Sequence, residues 1–262
     1  MSILHTILIA IIEGLTEFLP ISSTAHMVIT SSLLNIANDP FTKYFEICIQ
    51  FGAILSVVVL YFKKFINFIN PSFYLKLIIA IIPSLLLGFL LNDFIDEKLE
   101  NPVFIAVVMI AGGVLLLFVD QMFKEPTIHH EDEIDTKLSL RIGLFQCLAI
   151  ILPGLSRSAA TIVGAMSQRI SKTAAAEFSF FLAVPTMFAA TAYKTLSYVK
   201  TEGMFTSSQF ITLGIGNAVA FIVALLAIKF FVAFVKNKGF RLFGYYRIAL
   251  GIVVLLIFFF KK

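Results

Sequence analysis

Residues 13–26 read Glu-Gly-Leu-Thr-Glu-Phe-Leu-Pro-Ile-Ser-Ser-Thr-Ala-His, with two carboxylates, four hydroxyls and a histidine around one proline. Glu13 and Glu17 are four residues apart and share a helical face. Two carboxylates on one face suit a divalent cation such as Mg2+ or Ca2+, or general acid–base work. Ser22, Ser23 and Thr24 follow Pro20, where a new helix would start. One hydroxyl is enough to cap that start, so three exceed what capping needs. His26 lies within a turn of them and is the one histidine in the apolar core: His5 is near the start, and His129 and His130 sit in an acidic linker. It is a candidate for proton transfer or for attack on an electrophile.

A second stretch, Leu-Pro-Gly-Leu-Ser-Arg-Ser-Ala-Ala-Thr at 152–161, supplies what the first lacks. Ser156, Arg157 and Ser158 stand at an expected helix start, with Thr161 one turn on. Free N–H groups and the positive end of the dipole make such a start an anion site, and a guanidinium fork fits phosphate oxygens. Carboxylates, hydroxyls and a histidine on one side and an arginine on the other call for a phosphate or pyrophosphate. Ser22, Thr24, Ser156, Ser158 and Thr161 would line its oxygens. Glu46, Gln50, Gln146 and Glu177 stand where a supporting shell could form. Attack by His26, attack by Ser23 with His26 as base, and water activated by His26 all remain open.

The elements that must position these residues belong to a membrane. Of 262 residues, 59% are hydrophobic and 14% charged, and mean hydropathy is +0.97. Soluble domains are nearer 45–50% apolar and about 25% charged. Six segments are long enough to span, at about 41–62, 73–91, 102–123, 173–193, 208–235 and 242–260. The stretches at about 2–36 and 138–170 are broken mid-way by Pro20 and Pro153, so each reads as a re-entrant helix–loop–helix hairpin. A shift of 133 residues lays Pro20 on Pro153 and Ser23 on Ser156. The expected fold is therefore all-α and polytopic, with six transmembrane helices and two re-entrant hairpins. It forms one membrane domain over 1–262, with a first repeat at 1–125, a cytoplasmic linker at 126–137 and an inverted second repeat at 138–262. Inverted repeats put a binding site near mid-membrane, so the phosphate arrives on a lipid. Loops holding eleven basic residues, from Lys63 to Arg241, oppose loops holding six, among them Lys43, Lys98, Lys261 and Lys262. The first set is expected to be cytoplasmic. The net charge of +4 gives no case for nucleic acid, and Cys48 and Cys147 read as small core residues.

The two motifs resemble the signatures of bacterial undecaprenyl-pyrophosphate phosphatases of the bacitracin-resistance type, and the similarity runs in order along essentially the whole chain. That resemblance implies hydrolysis of undecaprenyl pyrophosphate to the monophosphate carrier used in cell-wall synthesis. It also implies dependence on Mg2+ or Ca2+, residence in the bacterial cytoplasmic membrane and a site open to the outer face. Carried over position by position, it implies Glu13 and Glu17 as functional acids that would hold the metal, Ser23 and His26 as reacting groups, and Arg157 as the phosphate clamp. A polyprenyl diphosphate lipid is then the substrate and membrane lipid the surroundings; a homodimer stays open. Ala25 and Ala159 depart from the family, which often has glycine there. A polyprenyl-phosphate transporter or flippase using the same pocket is the rival reading, because inverted repeats are also a transporter plan.

Overall fold

The structure, a computed structural model, describes residues 1–66, 71–91 and 101–260, with side chains through residue 258. Lys98, Lys261 and Lys262, used in the charge comparison, lie outside the described residues. The first hairpin is α1 (Ile3–Thr16) and α2 (Ser23–Leu33). Three long helices follow: α3 (Pro40–Leu60), α4 (Pro71–Leu90) and α5 (Pro102–Met122). The second hairpin is α6 (Thr136–Ile151) and α7 (Arg157–Met166). It is followed by α8 (Lys172–Glu202), α9 (Ser207–Lys238) and α10 (Arg241–Phe260). Among the described residues there is no strand, only an isolated bridge between Ile128 and Ile170.

Local chemistry explains the boundaries. Ser2, Ser22, Asp39, Asn101, Asp135, Ser156, Ser171 and Thr206 each cap a helix, the side chain accepting from the N–H three residues on. Pro40 and Pro102 occupy first turns, where no donor is lost. Among the described residues six helices are long and apolar enough to cross a membrane, so the chain is a multi-pass membrane protein. The hairpin arms are not: α1 has 14 residues and α6 has 16, short of the roughly 20 needed to cross. The long helices match the expected spans closely, except that α8 runs on to Glu202 rather than stopping near 193. There Tyr198 packs against Tyr44 and Phe205, with ring centroids 4.7 and 5.2 Å away, and this aromatic belt carries the helix past its apolar stretch.

The halves interlock. α1 packs on α9 and α6 on α4, so each hairpin's first arm rests on the middle span of the other half. α3 packs on α8, and α5 on α10. The α5–α10 contact closes on two glycines: a Cβ on Gly113 would lie 2.9 Å from the Gly244 carbonyl, and one on Gly244 would lie 2.8 Å from the Gly113 carbonyl. The linker is held outside this bundle by Lys64, which pairs with Glu131 at 2.5 Å and Asp132 at 2.6 Å. Partial burial works against the Lys64 charge, but the two carboxylates outweigh it and leave the pKa raised.

Gly113→Val or Gly244→Val should force α5 and α10 apart, at a cost of about 1–3 kcal/mol. Thermal unfolding in detergent should register that loss. Gly88→Ala, at a helical position with nothing within 4 Å, should show none.

Candidate active site

Each break in a hairpin is built around a serine with left-handed backbone. α1 ends at Thr16, and Ser22, at φ 70°, caps α2. α6 ends at Ile151, Gly154 takes φ 97°, and Ser156, at φ 76°, caps α7. Non-glycine residues in this region are costly and persist where surrounding structure imposes them. The structural match is thus Ser22 with Ser156, an offset of 134, and not the Ser23–Ser156 match expected from sequence. The second loop is one residue longer between its proline and its cap. Ser23 and Arg157 therefore hold the same position, the first of their helices. Ala25 and Ala159 correspond as well: each donates its N–H to the capping serine, at 3.4 and 3.3 Å.

These two equivalent positions meet on one carboxylate. Glu17 Oε2 accepts a hydrogen bond from the Ser23 hydroxyl, and its Oε1 pairs with Arg157 Nη2 at 3.1 Å. Arg157 Nη1 also donates to the Ser179 carbonyl at 2.9 Å. Ser179 Oγ lies 2.7 Å from Thr161 Oγ1. Ser158 Oγ donates to the Leu19 carbonyl at 2.8 Å and lies 3.1 Å from Ser156 Oγ, which ties the second loop to the first. The cluster is buried: Glu17 is 7% exposed, Ser23 6% and Glu13 0%.

Several polar atoms in it have no protein partner. Both oxygens of Glu13 and Oε1 of Glu46 are buried without a hydrogen bond, and so is Nε of Arg157. Glu13 lies within electrostatic reach of Glu17, Glu46 and Arg157. Buried carboxylate oxygens without donors suit a hard cation, which oxygen ligands bind, so the residues present fit Mg2+ or Ca2+. An arginine donor without an acceptor suits an anion.

His26 is held apart from Ser23. Its Nδ1 meets the Ser22 carbonyl and its Nε2 the Tyr246 hydroxyl, each at 2.7 Å, and its ring stacks on Tyr246 with centroids 5.6 Å apart. Thr24 follows Ser23 in the first turn of α2, half-buried, and Gln50 lies one turn beyond Glu46 on α3. Two expected supporting residues sit elsewhere. Gln146 is buried against Ser84, 2.7 Å from its hydroxyl, and against Thr186 at 3.3 Å. Glu177 faces Tyr61, whose hydroxyl is 3.4 Å away, on the side of the acidic linker.

Sequence reasoning missed Ser179, Tyr246 and above all Arg247. Arg247 is completely buried. Its Nη1 donates to the Pro20 and Leu155 carbonyls at 3.0 and 2.6 Å, its Nη2 to the Gly154 carbonyl at 2.9 Å, and its Nε to the Met109 carbonyl at 3.2 Å. One guanidinium thus fastens both hairpin loops to α5. The available signal was an arginine six residues into an otherwise apolar helix, a costly placement that usually marks function.

A family model described as bacitracin resistance protein BacA matches residues 6–253, which include both hairpins. An undecaprenyl-diphosphatase of Flavobacterium johnsoniae is 57% identical over 261 residues, covering 99% of this chain and 97% of its own. The undecaprenyl-diphosphatase of Flavobacterium psychrophilum is 55% identical over 260 residues, with 99% and 97% covered. That of Bdellovibrio bacteriovorus is 49% identical over 259 residues, with 98% and 96% covered.

Replacing Arg247 with Met should free the carbonyls of both loops together. Hydrogen bonds from a charged donor contribute about 1.5–3 kcal/mol each. Hydrogen exchange of the amides at 17–19, 21–23 and 154–157 should therefore quicken by about 100-fold or more in both loops. Arg247→Lys should not restore protection, because a lysine has no fork to span these carbonyls.

Proposed function

The chain belongs to the bacitracin resistance protein BacA family, and we infer that it is a membrane phosphatase acting on undecaprenyl diphosphate. It releases inorganic phosphate and returns undecaprenyl phosphate, the lipid carrier of cell-wall synthesis, and through this activity gives bacitracin resistance. The observation that carries the reading is the Ser23–Glu17–Arg157 bridge between two hairpins. It joins a hydroxyl, a base and an anion clamp at one buried point, which is what phosphoryl transfer from a lipid diphosphate needs.

We assign the steps as follows. The terminal phosphate of the substrate draws the Arg157 fork and its unpartnered Nε, and Glu17 Oε1 gives up its hold on the arginine. Ser23 Oγ attacks the terminal phosphorus as its proton passes to Glu17 Oε2. The bond from that phosphorus to the bridging oxygen breaks, and undecaprenyl phosphate leaves. Water then cleaves the phosphoserine, Ser23 recovers a proton, and inorganic phosphate departs. The Ser23 contact with Glu17, and the engagement of both His26 nitrogens elsewhere, favour Glu17 over His26 as the base for Ser23. His26 is held by Tyr246 of α10. Glu13 and Glu17 would hold Mg2+ or Ca2+, which would supply neutralisation of charge on the phosphate oxygens.

We further propose that the protein lies in the bacterial cytoplasmic membrane with this site open to the outer side. Two observations support that orientation. Gly154 and Leu155 sit beside Ile105 and Met109, in the first two turns of α5. The linker joins the opposite end of α5, at Met122, and the loops on that side hold most of the lysines and arginines. The element order, two sets of a hairpin and three long helices, supports reading the chain as an inverted repeat.

Phosphate release from undecaprenyl diphosphate in detergent tests the reading. Ser23→Ala, Glu17→Gln and Arg157→Ala should each lower turnover by about 100-fold or more. Rapid quenching should trap a phosphate ester on Ser23; a label found on His26 instead would overturn the assigned nucleophile. Removing divalent cations with EDTA should abolish turnover, and added Mg2+ or Ca2+ should restore it. Uptake of a polyprenyl phosphate into vesicles without phosphate release would favour the transporter reading.

A further inference from the structure

On the linker side of the molecule a cavity opens between the end of α5, the α7–α8 turn and the end of α9. It has two lobes of about 350 and 310 Å3 that share Phe123, Lys124, Pro126, Met166 and Ile170 as walls. Arg169 lines one lobe, and Lys172 and Lys236 line the other. The cavity is separate from the site above: Met122, on its rim, follows Met109 by 13 residues, about 20 Å of helix.

The charges around it do not balance internally. Lys172 is neutralised by Asp120, 2.7 Å away. Asp120 is further committed to the backbone N–H of Phe240, at 2.7 Å. The side chains of Lys124, Arg169 and Lys236 have no hydrogen bond or ion pair among the described residues, and the only other acid in the walls is Glu125. Three unpaired cations around one cavity repel each other, and the repulsion is relieved by an anion. The backbone of Arg169 is fixed where it stands: it takes φ 63°, and its carbonyl accepts the N–H groups of Thr127 and Ile128 at 2.8 and 3.1 Å. Phe123, Pro126, Met166 and Ile170 give both lobes apolar wall, beside the neutral polar Gln121 and Ser167 of one and Ser171 and Thr173 of the other, and the cavity lies where α5 and α9 leave their apolar stretches. A ligand with an anionic phosphate and an attached hydrocarbon matches this division better than a free ion does.

We propose that this cavity seats the phosphate headgroup of an anionic phospholipid, with Lys124, Arg169 and Lys236 around the phosphate. Basic pockets between helices at the cytoplasmic boundary are suited to such headgroups. The lipid is distinct from the substrate: it is not cleaved, and it lies on the face opposite the pocket of the hairpins.

The test is native mass spectrometry of the full chain released from nanodiscs of phosphatidylglycerol mixed with phosphatidylcholine. Wild type should retain phosphatidylglycerol in excess by about tenfold. The triple variant Lys124→Gln, Arg169→Gln, Lys236→Gln should lose that excess while keeping its phosphate release, which shows that it is folded. Lys124→Arg with Lys236→Arg should keep the excess. An unchanged excess in the triple variant would overturn the proposal. So would displacement of the lipid by inorganic phosphate at roughly physiological ionic strength, since the site would then serve a free ion. Salt gives a reading that needs no variant: raising it to about 1 M should remove the preference of wild type, and a preference indifferent to salt would count against a charged seat.

Discussion

A helix interrupted in the interior of an apolar bundle leaves backbone carbonyls that neither water nor the helix can satisfy. Such breaks are tolerated only where protein groups take over. Here that task falls largely on Arg247, whose guanidinium meets the carbonyls of Pro20, Gly154 and Leu155 together, with Met109 as a fourth partner. The two loops are thereby fixed relative to each other. Ser158 adds a second tie through the Leu19 carbonyl. With the loops fixed, the first residues of α2 and α7 reach the same carboxylate. A buried arginine without a carboxylate partner is costly, and four carbonyl acceptors offset that cost while they set the geometry.

The matching build of the two hairpins shows how they come to share one site. Ser23 and Arg157 hold equivalent positions, each the first residue after a serine cap. One hairpin uses that position for a hydroxyl and the other for a guanidinium. Glu17 lies between them and touches both. The counterpart of Glu13 in the second half is Gln146, and it has no unpartnered carboxylate to offer; it sits against Ser84 and Thr186. Only the first hairpin keeps its acids, so the pocket is asymmetric although the scaffold packs in matching pairs.

Much of this was legible in the sequence because it rests on local rules. The spans follow from length and hydropathy, and the breaks from Pro20 and Pro153 with the serines behind them. The serines behind each proline marked where the second helix of each hairpin begins. The alignment of the loops was one residue off, because Gly154 adds a residue in a left-handed conformation that periodicity does not register. Gln146 and Glu177 were expected near the pocket, since each is polar and close in sequence to a hairpin, but helix rotation points them at Ser84 and Tyr61 instead. Arg247 and Tyr246 were missed because their partners lie 92 to 227 residues away in the chain, and no local pattern encodes such contacts.

The central claim is that the two hairpins act as a single site through the Glu17–Arg157 contact. A double-mutant cycle on kcat/KM with Glu17→Gln and Arg157→Ala measures that directly. If the residues work as one unit, the second substitution should cost little once the first is in place, and the coupling should exceed about 1 kcal/mol. Costs that simply add would mean that the hairpins contribute separately, and would contradict a shared site.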